Sequence, residues 1–98
     1  MGRVYLVFVE LGAGSEKFQD EGYAGGFVTA VVPADNIRTA IDAGENALRE
    51  DGYEVVEIDK ALLFERDEWG HDEEVILAAT QSTEDNEIRY TPFTVWGH

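Results

Sequence analysis

Carboxylates crowd around one imidazole in residues 65–74, ERDEWGHDEE, and this segment holds the densest set of potential ligands in the chain. Carboxylate oxygen and imidazole nitrogen bind divalent cations such as zinc, manganese and magnesium. His71, Asp67 and Asp72 are therefore candidate metal ligands, and no other cofactor is expected. Their spacing matches neither an EF-hand loop nor a pair of histidines one helical turn apart. The alternative is a solvated acidic loop that precedes a helix.

Nucleophilic catalysis has little support in the sequence. The chain has no cysteine, its only serines are Ser15 and Ser82, and its only histidines are His71 and His98. Glu10 is a candidate for acid–base work at the end of an apolar strand, but a glutamate in that position usually reaches water. We therefore expect a protein that is not an enzyme.

The length and composition are those of one small globular domain. A chain of 98 residues, 44% of them hydrophobic, can form a single core, and we treat residues 1–98 as one α+β domain. No run approaches the roughly 18 apolar residues of a membrane-spanning helix. The N-terminus lacks the pattern of a signal peptide, which predicts a soluble cytoplasmic protein.

The charge is strongly acidic. Asp and Glu number 21 against 7 Lys and Arg, for a net charge of −14. A chain without a basic patch cannot release counterions from phosphates, so nucleic acid and anionic membranes are disfavoured as partners. Three explanations remain: an acidic host proteome, solubility, or a partner that is itself basic.

The clearest element is an amphipathic helix within residues 32–53. Apolar residues recur there with a helical period. They are Ile37, Ala40, Ile41, Gly44, Ala47 and Leu48. Asp35 is predicted to cap the first turn and Gly52 to close the helix in a left-handed conformation. Gly44 lies within the apolar stripe, which predicts a close approach between helix and sheet.

Four segments rich in β-branched and aromatic residues are predicted to be strands: residues 3–10, 27–32, 53–64 and 88–96. The first two are apolar on both faces, whereas the third loses its alternation near Lys60, which predicts a bulge. Pro92 predicts an edge position for the last strand, because proline cannot donate to a ladder. Residues 11–26 are rich in glycine and are predicted to form a long loop.

Residues 72–82 suit a strand or a helix, and we predict a helix because Asp72 can cap good helix formers. The order ββαβαβ then predicts an α+β domain whose four-stranded, mainly antiparallel sheet carries two helices on one face. This order resembles the ferredoxin-like class of small sandwiches in kind, except that no helix is predicted between the first two strands. The resemblance concerns topology alone and implies no functional residues.

Self-association follows from a mismatch between apolar strand faces and their cover. Two helices on one face leave the other open, although the first two strands are apolar on both sides. We expect a homodimer centred on side chains of these strands, such as Tyr5, Val7 and Val9, that buries on the order of 1,200 to 2,000 Å². The loop of residues 11–26 is the alternative cover. Trp69, flanked by charge and glycine, is a further candidate contact.

Two hypotheses about function follow. The first is a small acidic, non-enzymatic binding domain, one form of which is an antagonist of a basic protein. The second is a small α+β enzyme or ligand-binding regulator that works in a cleft under the glycine-rich loop of residues 11–26. A basic protein partner would favour the first hypothesis, and a bound metabolite would favour the second.

Overall fold

The computed structural model describes residues 3–65, 67, 68, 72–91 and 93–97. The elements, in chain order, are β1 Arg3–Gly12, α1 Glu16–Glu21, β2 Tyr23–Ala34, α2 Ile37–Glu50, β3 Val55–Leu63, α3 Glu73–Asp85, β4 Arg89–Tyr90 and β5 Thr94–Gly97. This order differs from the predicted ββαβαβ by the added helix α1 and by the division of the last strand.

One open sheet runs through the domain, and the pairings among the described strands are antiparallel. Its order is β3-β1-β2-β4, and β5 also pairs with β2. β4 and β5 therefore follow one another along the edge of β2 that β1 leaves free. The α+β class and the mainly antiparallel sheet are confirmed. The sheet has five strands instead of four, and its order does not confirm a ferredoxin-like arrangement.

Helices α2 and α3 lie on opposite faces of the sheet. Val7 and Val9 of β1 share a buried cluster with Leu48 of α2. Leu6 of the same strand shares a second cluster with Ala79 of α3. Because successive side chains of a strand point to opposite faces, the two clusters are on opposite sides. The prediction of two helices on one face is therefore wrong, and β1 is apolar on both faces because each face has its own helix.

The first turn of α2 is capped by Asn36 and not by Asp35 as predicted. The Asn36 Oδ1 accepts the backbone N–H of Thr39 at 2.9 Å, which satisfies a donor that has no partner within the helix. At the other end, Gly52 has the predicted left-handed backbone, with φ at 91°. The N–H groups of Gly52 and Tyr53 donate to carbonyls of the last turn, and this pattern is a Schellman motif.

Gly44 lies where α2 packs closely on the sheet, as predicted. A Cβ atom at this position would lie 3.4 Å from Val32 Cγ2 and 3.6 Å from Ala30 Cβ. Those are ordinary contact distances, so a methyl group fits and a larger side chain meets β2.

Residues 11–26 do not form the predicted loop. β1 continues to Gly12, α1 follows, and β2 already begins at Tyr23. Phe18 of α1 is buried, and its ring meets the rings of Tyr23 and Tyr53 edge-on at centroid distances of 5.9 and 5.8 Å. The segment is thus a short helix that one aromatic side chain anchors in the cluster on the α2 side of the sheet.

The predicted bulge in the third strand is confirmed, and a second one accompanies it. The register of β1 and β3 shifts between Phe8 and Val9 and again between Glu10 and Leu11. Asp59 and Val56 are the extra residues at these two points. The predicted strand 88–96 is divided into β4 and β5 at the edge of the sheet, while Pro92 itself lies outside the described residues.

The predicted helix at residues 72–82 is confirmed as α3, which extends to Asp85. Asp72 caps it, because its Oδ1 accepts the backbone N–H of Val75 at 3.2 Å. Glu73 and Glu74 lie in the first turn, where acidic side chains interact favourably with the helix dipole. No helix in the described part of the chain has the length and hydropathy needed to cross a membrane.

Candidate interaction surface

The predicted metal ligands are only partly within the described residues. Asp72 is the cap of α3, so one of its oxygens is already engaged. Asp67 is exposed, and His71 lies outside the described residues. In the ranges that the structure describes, no three potential ligands come together. The metal site stays a prediction.

The strand residues predicted at a dimer interface belong to the core. Tyr5, Val7 and Val9 are buried in the cluster that α2 covers. Their side chains are thus already in contact with this chain's own helix. Trp69 lies outside the described residues. A partner contact at these positions is untested, and the exposed apolar residues lie elsewhere.

Exposed apolar side chains are concentrated on the half of the sheet face that α3 does not cover. We call this half the open face and define it by Phe8, Phe27, Val56 and Trp96. Phe27 is 46%, Val56 56% and Trp96 38% exposed. Of the five large hydrophobic residues that are exposed in the described ranges, these three lie on the open face. A cluster of this kind on an otherwise acidic protein typically marks an interaction site.

The register assigns Phe8 and Phe27 to the α3 side of the sheet. Val56 is a bulge residue without a register partner, and its side chain lies on the side to which a Cβ at Gly12 would point. Phe8 partly packs on the α3 cluster, and it is the register partner of Thr29 in β2. Phe27 lies two residues from Thr29 and therefore on the same side. The rings of Phe27 and Trp96 are in contact, with centroids 5.0 Å apart and planes inclined by 54°. Trp96 thus lies on the same side as α3 and extends the apolar surface across β5.

A groove of about 340 Å³ crosses the open face. Phe8, Phe27 and Thr29 line its floor, while Lys60 of β3 and Thr94 of β5 line its two sides. The Lys60 Nζ lies 5.0 Å from the centroid of the Phe8 ring, which is the geometry of a cation–π contact. The lysine head is therefore held against the aromatic floor.

Carboxylates border the open face along β1 and β3. Glu10 and Glu57 are register partners, and residues that face each other in a ladder share one side of the sheet. Asp59, at the neighbouring bulge, lines the groove. Like charges opposite each other are unfavourable in the isolated protein, and they give this border a negative potential that a cationic partner would relieve.

A second groove, of about 530 Å³, lies between α3 and β4, and we call it the α3 groove. Leu77 and Ala78 of α3 form one wall, and Ile88 and Tyr90 form the other. Leu77 is 57% exposed. Thr91 lines both the α3 groove and the groove over the open face. The two depressions therefore adjoin at Thr91.

Two ionisable groups near the α3 groove have shifted pKa values. A hydrogen bond from the Arg89 side chain lowers the pKa of the Asp85 carboxyl. Partial burial, followed by the charge of Asp51, raises the pKa of the Tyr90 phenol above its ordinary value. Arg89 also lies 3.9 Å from the Glu87 carboxylate, so its charge is locally neutralised. Arg89 therefore adds no unpaired positive charge to the α3 groove.

Hydrogen bonds to Glu54 fix the glycine-rich segment in place. Ser15 is fully buried, and its Oγ accepts the Glu54 backbone N–H at 2.8 Å. The Glu54 side chain accepts the N–H of Gly14 at 3.0 Å. Phe18 occupies the space beneath the segment, where the sequence predicted a cleft. These contacts hold residues 12–18, where β1 ends and α1 begins, against the residues that precede β3.

Sequence patterns do not identify the open face, although Phe27 and Trp96 fall in the predicted strands 27–32 and 88–96. The available signal is the pair Gly25 and Gly26, which falls within the predicted loop of residues 11–26. A glycine within a strand often marks the close approach of another group, and Gly25 lies against the Trp96 ring. A strand that includes these glycines leaves room for an aromatic ring, here that of Trp96, to pack on the sheet.

Known proteins add nothing to this geometry: no family model, no curated protein and no solved structure matches the chain.

Proposed function

We propose that this protein is a small acidic interaction domain that binds a basic protein through the open face. The observation that carries the proposal is the exposure of Phe27, Val56 and Trp96 on a sheet face that α3 covers only in part. Aromatic side chains next to a shallow groove are typical anchors of protein interfaces. Covering them removes apolar surface from water, which favours association.

Charge defines the kind of partner. The net charge of −14 attracts cationic molecules over a long range and accelerates their encounter. At short range, Glu10, Glu57 and Asp59 border the apolar floor. A partner that carries Lys or Arg around an apolar centre complements both features. Antagonism of a basic protein is one form of this function, since the bound domain would cover the partner's cationic surface.

A second copy of the chain is the competing occupant. Two open faces packed together would bury apolar surface, as the sequence-based prediction of a homodimer requires. A two-fold contact would also bring the carboxylates around both faces together, and two copies of charge −14 repel each other. Charge complementarity therefore favours a basic partner over self-association.

Synthetic peptides of Lys and Leu test the proposal, with Leu in helical order in one peptide and in alternating order in the other. Matching peptides with Glu in place of Lys are the charge control. Isothermal titration calorimetry would compare the wild type with Phe27→Ser and with Ile37→Ser. Ile37 is the matched control, because it is also exposed but lies at the start of α2.

The proposal predicts that at least one Lys peptide binds, that Phe27→Ser abolishes its binding and that Ile37→Ser leaves it unchanged. Equal binding of the Glu peptides would refute the role of charge. Light scattering tests self-association. If the protein is a dimer at micromolar concentration and Phe27→Ser dissociates it, the open face is a contact between two copies and not a site for a basic partner.

A further inference from the structure

The surface available to a partner is longer than the open face alone. Thr91 lines both grooves, and its backbone N–H donates to the Thr29 carbonyl at 3.0 Å. This bond ties the segment after β4 to β2, so the floor continues from Phe27 toward the wall of α3. Leu77 stands exposed on that wall. An occupant of the open face would therefore lie beside α3 and touch Leu77.

Backbone hydrogen bonding restricts what can lie on this surface. The floor is a sheet face, so it presents side chains and not backbone groups. The backbone of β2 is already paired with β1 on one edge and with β4 and β5 on the other. A single extended segment laid on this face would find no ladder, and its own N–H and C=O groups would lose water without gaining partners. A helix satisfies these groups internally.

The width of the surface also suits one helix. Four strands, β3, β1, β2 and β5, span the groove from Lys60 to Thr94. At about 4.8 Å per strand spacing, three spacings give about 14 Å. A helix with its side chains is about 10–12 Å across. One helix that runs along the strands fills this width, and α3, which covers the Leu6 end of the same face, lies at its end.

Charge determines the composition of that helix. Asp59 lines the groove, Glu10 and Glu57 are register neighbours of Phe27 on the same face, and Glu74 lines the α3 groove. Among the described residues, two cations line these grooves: Lys60 lies over the Phe8 ring, and Arg89 pairs with Asp85. An apolar helix with Lys or Arg beside its stripe would meet these carboxylates along β1 and β3 and at the α3 groove.

We infer that the partner element recognised by this domain is a cationic amphipathic helix that packs on the open face beside α3. The inference rests on the proposed function and specifies it. The recognised segment has apolar residues at i, i+3, i+4 and i+7, with Lys or Arg next to this stripe. Its apolar stripe covers Phe27 and Trp96, and one end reaches Leu77.

The test compares two isomeric peptides of about 18 residues, both composed of the same numbers of Lys and Leu. One has helical periodicity and the other alternates strictly, so that charge and total apolar content are identical. Fluorescence anisotropy gives the affinities, and amide chemical shifts of the labelled protein locate the site. Phe27→Ser tests the floor, Leu77→Ser tests the α3 wall, and Ile37→Ser is the control for an exposed apolar residue elsewhere.

The helical peptide is expected to bind at least about tenfold more tightly than its isomer. Phe27→Ser and Leu77→Ser should each weaken it severalfold, whereas Ile37→Ser should not. Equal or tighter binding of the alternating peptide at the open face would overturn the inference and leave the proposed function standing. If neither peptide binds, or if the shifts map to α2, both are overturned.

Discussion

The indole of Trp96 lies directly against the backbone of Gly25. A Cβ atom at Gly25 would be only 2.6 Å from Cζ2 of the ring, which is closer than two carbon atoms can approach without repulsion. The absent side chain thus lets the Trp96 ring pack against β2 and meet Phe27 at a centroid distance of 5.0 Å. The aromatic part of the open face depends on this glycine.

Gly25→Ala is therefore expected to displace Trp96 and to destabilise the fold. The added methyl group would also lie 2.9 Å from the backbone oxygen of Leu11, which cannot move without disturbing β1. Overpacking of this kind costs about 1–3 kcal/mol. Urea unfolding measures the loss, and the indole N–H resonance of Trp96 reports the displacement. Gly97→Ala is the matched control, because a Cβ there has no neighbour within 4 Å. Equal effects of the two substitutions would contradict this packing.

The contact of α2 with the sheet can be tested with two substitutions of opposite sign at one position. Gly44→Ala should raise the free energy of unfolding by up to about 1 kcal/mol, because alanine favours the helix and the methyl group fits. Gly44→Leu should lower it by about 1–3 kcal/mol, since the longer chain meets Val32. Chemical denaturation measures both, and stabilisation by the Leu variant would show that the helix does not pack here.

The cap of α2 gives a test between neighbouring residues. Asn36→Ala should destabilise the protein by about 1 kcal/mol, since the N–H of Thr39 loses its acceptor. Asp35→Ala should have an effect close to zero, because the cap is one residue later. Thermal unfolding of the two variants decides the assignment, and a larger loss for Asp35→Ala would restore the cap that the sequence predicted.

Tyr90 should make the fold sensitive to alkaline pH. Its hydroxyl donates to Asp51 Oδ2 at 3.2 Å, and burial together with the Asp51 charge raises its pKa above the ordinary 10.0. The unfolded chain therefore releases this proton at a lower pH than the folded protein does. The contribution to stability is complete below pH 10.0 and is lost as the pH rises further.

Urea unfolding at neutral pH and above the ordinary tyrosine pKa measures this dependence. The wild type should lose more stability between the two conditions than Tyr90→Phe, which keeps the ring but cannot ionise. Asp51→Asn should fall between them, because it removes the charge and retains a hydrogen-bond acceptor. Identical pH dependence in the wild type and Tyr90→Phe would exclude this role of Tyr90.

Local patterns predicted α2, α3 and β1, because a helical period, a capping residue and an apolar strand depend on residues that are close together in the sequence. The errors arose where distant parts of the chain decide. Gly25 belongs to a strand whose partner contributes Trp96, and the ring packs where Gly25 has no side chain. Helix α3 lies opposite α2 because it removes Leu6 and Val31 from water. The exposure of Phe27 follows from α3 covering only half of its face. Sequence alone does not define that boundary.

A reciprocal charge swap tests most directly whether the acidic border of the open face selects a basic partner. Glu57 and Asp59 are both exposed, so a variant that combines Glu57→Lys and Asp59→Lys is expected to fold, which circular dichroism checks. The decisive measurement is the dissociation constant of the wild type and this variant for two amphipathic helices that differ only in carrying Lys or Glu. The wild type should prefer the Lys helix by at least about tenfold, and the variant should lose that preference or reverse it. An unchanged preference in the folded variant would contradict recognition at the open face.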